Sequence, residues 1–102
     1  MYEKGNGVPQ SNQEAVRWWR LASESGEMHA QYNLGHFYSK GISVPQDYKE
    51  AEKWWRKSAE QGFLSAQSDL AAMYGTGVGV QQDYKESVKW ALKAAEQNSI
   101  MA

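Results

Sequence analysis

The sequence predicts an all-α protein, a solenoid of antiparallel helix pairs with a 36-residue period. Three observations carry that prediction. The chain repeats itself without a gap, apolar residues recur at helical spacing inside each copy, and helix start and stop signals fall at matching places.

The repeat comes first. Ala30-Gln31 recurs as Ala66-Gln67, Leu34 as Leu70, Tyr38 as Tyr74, Gly41 as Gly77 and Trp54 as Trp90, always 36 residues on. The stretch Gln46-Asp47-Tyr48-Lys49-Glu50 returns whole as Gln82-Asp83-Tyr84-Lys85-Glu86. Backwards, Trp54-Trp55-Arg56 maps to Trp18-Trp19-Arg20 and Gly62 to Gly26. Comparing residues 2–26 with 38–62 gives 13 identities in 25, too dense in constant register for shared composition to explain. Residues 1–29 are expected to be the second half of a repeat, 30–65 and 66–101 full repeats, and residue 102 the start of another. That phase predicts a fragment of a longer array, or a very truncated gene product.

Each unit is expected to hold two helices. In the first, Ala30, Leu34, Phe37 and Tyr38 share one apolar face, and Gly41 stands where a left-handed C-terminal residue is wanted. A short connector follows, with Val44 available to anchor inward. The second helix begins at a capping box: Asp47 with Glu50, Asp83 with Glu86, Ser11 with Glu14. Its buried face carries Ala51, Trp54, Trp55, Ser58 and Ala59. Lys49, Glu52, Lys53, Arg56 and Glu60 are expected on the solvent side, with Glu52 and Arg56 in the favourable i, i+4 order. Gly26 and Gly62 close this helix, and Asn98 is expected to do so in the third copy. Periodic placement puts Trp18, Trp54, Trp90, Trp19 and Trp55 in the core rather than in a ligand cage. A two-helix unit cannot bury its apolar face alone, so neighbours must stack.

The composition excludes several classes of function. Eleven Lys and Arg against twelve Asp and Glu leave a net charge of -1, and no electrostatic case for nucleic acid or an anionic membrane. Without cysteine there is no disulfide, thiolate metal site or cysteine nucleophile. The longest unbroken apolar run, Leu70 to Tyr74, is far too short to span a bilayer. The first residues lack the apolar stretch of a secretory signal.

The pattern Ala30-x-x-x-Leu34-Gly35-x-x-Tyr38-x-x-Gly41-x-x-Val44, continuing through Asp47, Ala51, Trp54 and Ala59 to Gly62, resembles the Sel1-like repeat. That resemblance covers essentially the whole chain. It implies a right-handed α/α superhelix similar to tetratricopeptide arrays. Three positions depart from the pattern. Ser43 replaces the second glycine of the turn, Ala71 the glycine matching Gly35, and Ser87 the alanine matching Ala51; all three are small-for-small and expected to be tolerated. Some relatives are associated with penicillin binding, but no serine here has Lys three positions later.

Other candidate sites yield to structural explanations. His29 and His36 are seven residues apart on one helix, with no third ligand at a suitable spacing, so no metal or other cofactor is expected. The glycines of Gly75-Thr76-Gly77-Val78-Gly79 follow a helix and repeat at Gly41, which marks a turn and not a phosphate loop. No pair of carboxylates converges on apolar ground as acid–base catalysis needs, so no enzyme is expected.

What remains is the first-helix surface opposite Leu34. Tyr32, His36, Ser39 and His29 cluster there at about 100° per residue, flanked by Asn33 and Lys40. Their counterparts are Ser68, Ala72, Gly75 and Ser65, flanked by Asp69 and Thr76. This face differs between copies while the buried face does not, and the resemblance implies that first helices line a concave, partner-holding surface. The expected function is a non-enzymatic scaffold binding a protein or peptide, with His36, Tyr32 and Asn33 as leading contacts and Ser68 and Asp69 extending the groove. The competing expectation is a structural spacer of a longer repeat protein, and the third a regulatory or hydrolase-associated domain. Apolar ends beside Trp18, Trp19, Trp90 and Leu92 predict end-to-end self-association.

Overall fold

The computed structural model describes the backbone of residues 12–101 and the side chains of residues 14–97. It contains α1 (Asn12–Glu24), α2 (Met28–Lys40), α3 (Tyr48–Glu60), α4 (Leu64–Thr76) and α5 (Tyr84–Met101), with no strand among the described residues. Each helix packs on its neighbours along the chain, giving the expected all-α stack. Helices α2 and α4 are the first helices of their repeats; α1, α3 and α5 are second helices.

The helix ends follow the sequence signals, with two corrections. Gly41 and Gly77 take φ of 70° and 75°, and their N–H groups donate to the carbonyls of Phe37 and Met73. Asp47 Oδ1 accepts from the N–H of Lys49 and Glu50, and Asp83 Oδ1 from Lys85 and Glu86, at 3.0–3.2 Å. The return half of each capping box is replaced. The Asp47 N–H donates to the Tyr38 carbonyl and the Asp83 N–H to Tyr74, both at 2.9 Å. That donor ties the second helix to the end of the first, so Glu50 is released to pair with Lys53 at 3.2 Å. The box expected at Ser11 lies outside the described residues. Asn98 does not end α5, which runs on to Met101. Asn tolerates a left-handed turn but does not demand one, and it costs a helix interior less than glycine does. Ser43 holds the left-handed turn of its missing glycine, at φ 63°.

Burial depends on what each second helix meets on its two sides. Leu34, Tyr38, Ala51 and Trp54 form one cluster with Val16 of α1. Trp55, Ala59, Leu70, Tyr74 and Trp90 belong to the other. Val44 and Val80 anchor their connectors against these clusters. Trp18 and Trp19 correct the expectation of five core tryptophans: Trp18 is 63% exposed, against 5% for Trp54 at the same repeat position, and Trp19 is half-buried. Trp54 is enclosed by the first helix of its own repeat, and no described element stands there for Trp18. Trp90 also differs from the expected exposed end. It is 1% exposed because α4 covers it, whereas Leu92 is exposed as expected, along with Tyr84 and Val88.

Polar links repeat along the stack. Gln61 Nε2 donates to the Gly26 carbonyl and to Gln31 Oε1; Gln97 Nε2 does the same to Gly62 and Gln67, all within 2.7–2.9 Å. Arg20 donates to the Tyr38 hydroxyl and Arg56 to the Tyr74 hydroxyl. Glu52 and Arg56, expected on the solvent side, are half-buried for this reason: Tyr74 donates to Glu52, which pairs with Arg56 at 3.2 Å. Lys49, Lys53 and Glu60 are exposed as expected.

Candidate peptide-binding groove

Helices α2 and α4 face each other across a groove of about 340 Å³. His36, Ser39 and Lys40 form the α2 wall, and Asp69, Ala72 and Thr76 the α4 wall. Trp55 and Met73 supply apolar floor, with Tyr48 and Val78 at one end.

The floor exists because position 35 is glycine. The Trp55 indole lies across α2 and donates its Nε1–H to the Tyr32 carbonyl at 3.0 Å. A Cβ on Gly35 would stand 2.5 Å from Trp55 Cδ1, inside any real contact distance. Ala71 and Ala91 occupy the same two repeat positions in the next pair, so the methyl that Gly35 lacks appears where the indole is gone. Tyr48 is placed by a second close approach. Gly79, at φ 79°, lies against its ring, where an added Cβ would be 2.2 Å from Cγ. Gln46 Nε2 bridges the Ser39 carbonyl at 2.9 Å and the Tyr48 hydroxyl at 3.2 Å.

The structure brings His36, Ser39 and Asp69 together on this groove. His36 is exposed. The Ser39 side chain is buried and donates to the His36 carbonyl at 2.9 Å, so its hydroxyl is already engaged. Tyr32 is half-buried and donates to Asp69 Oδ2 at 2.7 Å, linking the two first helices. Its ring stacks on Trp55 at 6.1 Å and meets Phe63 edge-on at 5.2 Å. Burial and the Asp69 carboxylate push the Tyr32 hydroxyl up to about 12.

Tyr32, expected as a leading contact, does not line the groove, and neither do His29, Asn33, Ser65 and Ser68. His29 sits beyond Tyr32, edge-on to Phe63 at 4.7 Å, with Nδ1 3.0 Å from Glu27 Oε2. That hydrogen bond, aided by the Ala30 N–H, holds the Glu27 carboxyl below its usual range. Ser65 and Ser68 are exposed on α4, and Asn33 is half-buried. Among the described residues no group of three or more His, Cys, Asp or Glu side chains could hold a metal ion, and no helix is long and apolar enough to cross a membrane.

Sequence reasoning missed Tyr48 and Met73, to which it gave no role, Val78, which it read as part of a turn, and the groove-side edge of Trp55, which it placed in the core. One signal was available: Gly35 with Trp55 in one copy against Ala71 with Ala91 in the next is a paired exchange of volume, and it marks where a large ring crosses a helix.

The comparisons agree with this architecture. The sequence pattern of the Sel1 repeat matches residues 1–27, 29–63 and 64–99. A Sel1 repeat protein from Oxalobacter formigenes is similar at a TM-score of 0.84 and 40% identity, over 93% of this chain and 39% of that one. A protective antigen present in uropathogenic Escherichia coli strains, with an SLR fold, gives 0.84 at 44% identity, over 94% of this chain and 21% of that one. Cysteine-rich protein B of Helicobacter pylori shares the fold at 0.80 and 24% identity, over 84% of this chain and 65% of its own. The chain therefore spans less than half of the first two structures. No curated protein sequence matches it.

Proposed function

Since the chain belongs to the Sel1 repeat family, whose members are generally protein-interaction scaffolds, we propose that it binds an extended segment of a protein partner in the groove between α2 and α4. The observation that carries this reading is the apolar floor of Trp55 and Met73 held open between two first helices whose facing residues differ. A peptide-sized concavity of a few hundred cubic ångströms, with polar walls and an aromatic base, suits side-chain recognition. The reading is non-catalytic: Ser39 and Asp69 are each held by a partner inside the fold and are not poised on a reacting atom.

A photo-crosslinking residue tests this without disturbing the core. Ala72 on the groove wall and Lys57 on α3 are both exposed. Replacement of Ala72 by benzoylphenylalanine is expected to yield discrete protein adducts in cells, and the same replacement of Lys57 none. Equal labelling at both positions would point to the spacer reading, and labelling only at position 57 would move recognition to the other face. Tyr32 is unsuitable for such a test, because removing it also frees Asp69 and unstacks Trp55.

A further inference from the structure

The two walls of the groove are chemically unequal. Lys40 and His36 are one helical turn apart on the α2 wall, both exposed, and neither side chain has an ion-pair partner among the described residues. The facing α4 wall offers the neutral Ala72 and Thr76, which occupy the repeat positions of His36 and Lys40. Asp69, which lines the groove on the α4 side, accepts from the neutral Tyr32 hydroxyl and keeps a carboxylate on that wall, so a negative group on a ligand is directed to the α2 wall. The floor below is apolar, with Trp55 and Met73 buried but bordering the groove. A ligand fitting this surface carries an apolar side chain for the floor and a negative group for one wall.

We infer that the groove selects an extended peptide in the polyproline II conformation, in which a bulky apolar side chain is followed directly by a carboxylate residue and the two point about 120° apart, one to the floor and one to a wall. The apolar side chain lies on Trp55 and Met73, and the carboxylate reaches Lys40 and His36. This rests on the groove being the recognition surface and adds the class of peptide it takes. The apolar contact supplies most of the affinity by taking the ligand's own side chain out of water, since Trp55 and Met73 are only 7% and 6% exposed before it docks. The carboxylate supplies selectivity, because an ion pair at a wet rim is worth only a small factor, about two- to fivefold, and weakens with salt.

The test uses the full 102-residue chain and four acetylated, amidated hexapeptides in a Gly-Ser frame, carrying Leu-Glu, Leu-Gln, Leu-Lys or Ser-Glu at the centre. Titrations are followed by backbone amide shifts of α2 and α4 and by the Trp55 indole N–H. The Leu-Glu peptide is expected to shift these signals and to bind about two- to fivefold tighter than Leu-Gln. The Ser-Glu peptide is expected to bind at least tenfold more weakly. Lys40→Glu, at an exposed position, is expected to invert the order of Leu-Glu and Leu-Lys. Equal binding of all three leucine peptides, or no inversion in Lys40→Glu, overturns the charge selectivity while leaving the groove as a binding site. Shifts confined to residues outside α2, α4 and Trp55, or no shifts with any peptide, would overturn the groove itself.

Discussion

Helices α2 and α3 meet with Gly35 beneath the Trp55 indole, whereas the next pair, α4 and α5, carries Ala71 and Ala91 at those two positions. Around this difference the two pairs keep the same core: Leu34 with Trp54 in one, Leu70 with Trp90 in the other, all buried. The comparison separates two kinds of position in one repeat. Some are fixed by the need to stack and cannot vary alone. Others come as matched pairs, in which volume is exchanged between helices and each solution builds a different surface. The large-on-small solution gives the middle repeat an aromatic floor to its groove.

The shared core is tested by the largest effects. Trp54→Ala and Trp90→Ala are each expected to cost about 3–5 kcal/mol in urea denaturation, the range for large-to-small truncation of a buried aromatic. Trp18→Ala, at a residue 63% exposed, is expected to cost less than about 1 kcal/mol. A large loss at Trp18, or unequal losses at Trp54 and Trp90, would break the equivalence of the two pairs.

The matched pair predicts a smaller and more diagnostic effect. Gly35→Ala drives a methyl into the Trp55 ring and is expected to cost about 1–3 kcal/mol. In a Trp55→Ala background, which copies the next repeat, the same change is expected to cost nothing or to stabilise. The double-mutant cycle gives the coupling directly. Additive effects would mean that the exchange between the copies is coincidence.

A further effect, confined to high pH, is electrostatic, and it concerns one tyrosine in each first helix. Burial, reinforced by the carboxylates of Asp69 and Glu52, pushes the hydroxyls of Tyr32 and Tyr74 from 10.0 up to about 12. The folded state thus holds these protons more tightly than the unfolded chain does. The corresponding stability is complete below pH 10 and is lost as pH rises towards 12. The urea midpoint is expected to fall across that window, with a shallower fall in Tyr32→Phe and in Tyr74→Phe.

The helices, their order and their stacked core were legible in the sequence because they rest on local and repeated signals. Asp47 and Asp83 cap their helices whatever lies beyond, and Gly41 and Gly77 turn as their spacing requires. Contacts set by a neighbouring repeat were harder to read. Arg56 sits at a position that helical periodicity assigns to solvent, but Tyr74, eighteen residues on, draws it against the next helix. Trp18 has a core residue's pattern and an exposed residue's surroundings. In the groove, periodicity found the α2 wall at His36 and Ser39 and placed Trp55 in the core, where it lies, without showing that its edge borders the groove. A side chain that spans the gap between two helices belongs to both surfaces, and a single-helix projection gives it only one.

The glutamine links have a consequence for how such a chain can change in length. Among the described residues, the hydrogen bond with the widest spacing, from Tyr32 to Asp69, joins residues 37 apart, and the Gln61 and Gln97 links span 30 and 35. Among the described residues no such bond reaches beyond the adjoining unit. A recombination event that inserts or deletes one 36-residue cassette in frame therefore keeps the stacking contacts and the glutamine links, while a link such as Tyr32 to Asp69, whose repeat counterparts are Ser68 and Asn33, is not reproduced. Genes of this construction can lengthen or shorten by whole repeats while the stacking contacts between neighbours are kept.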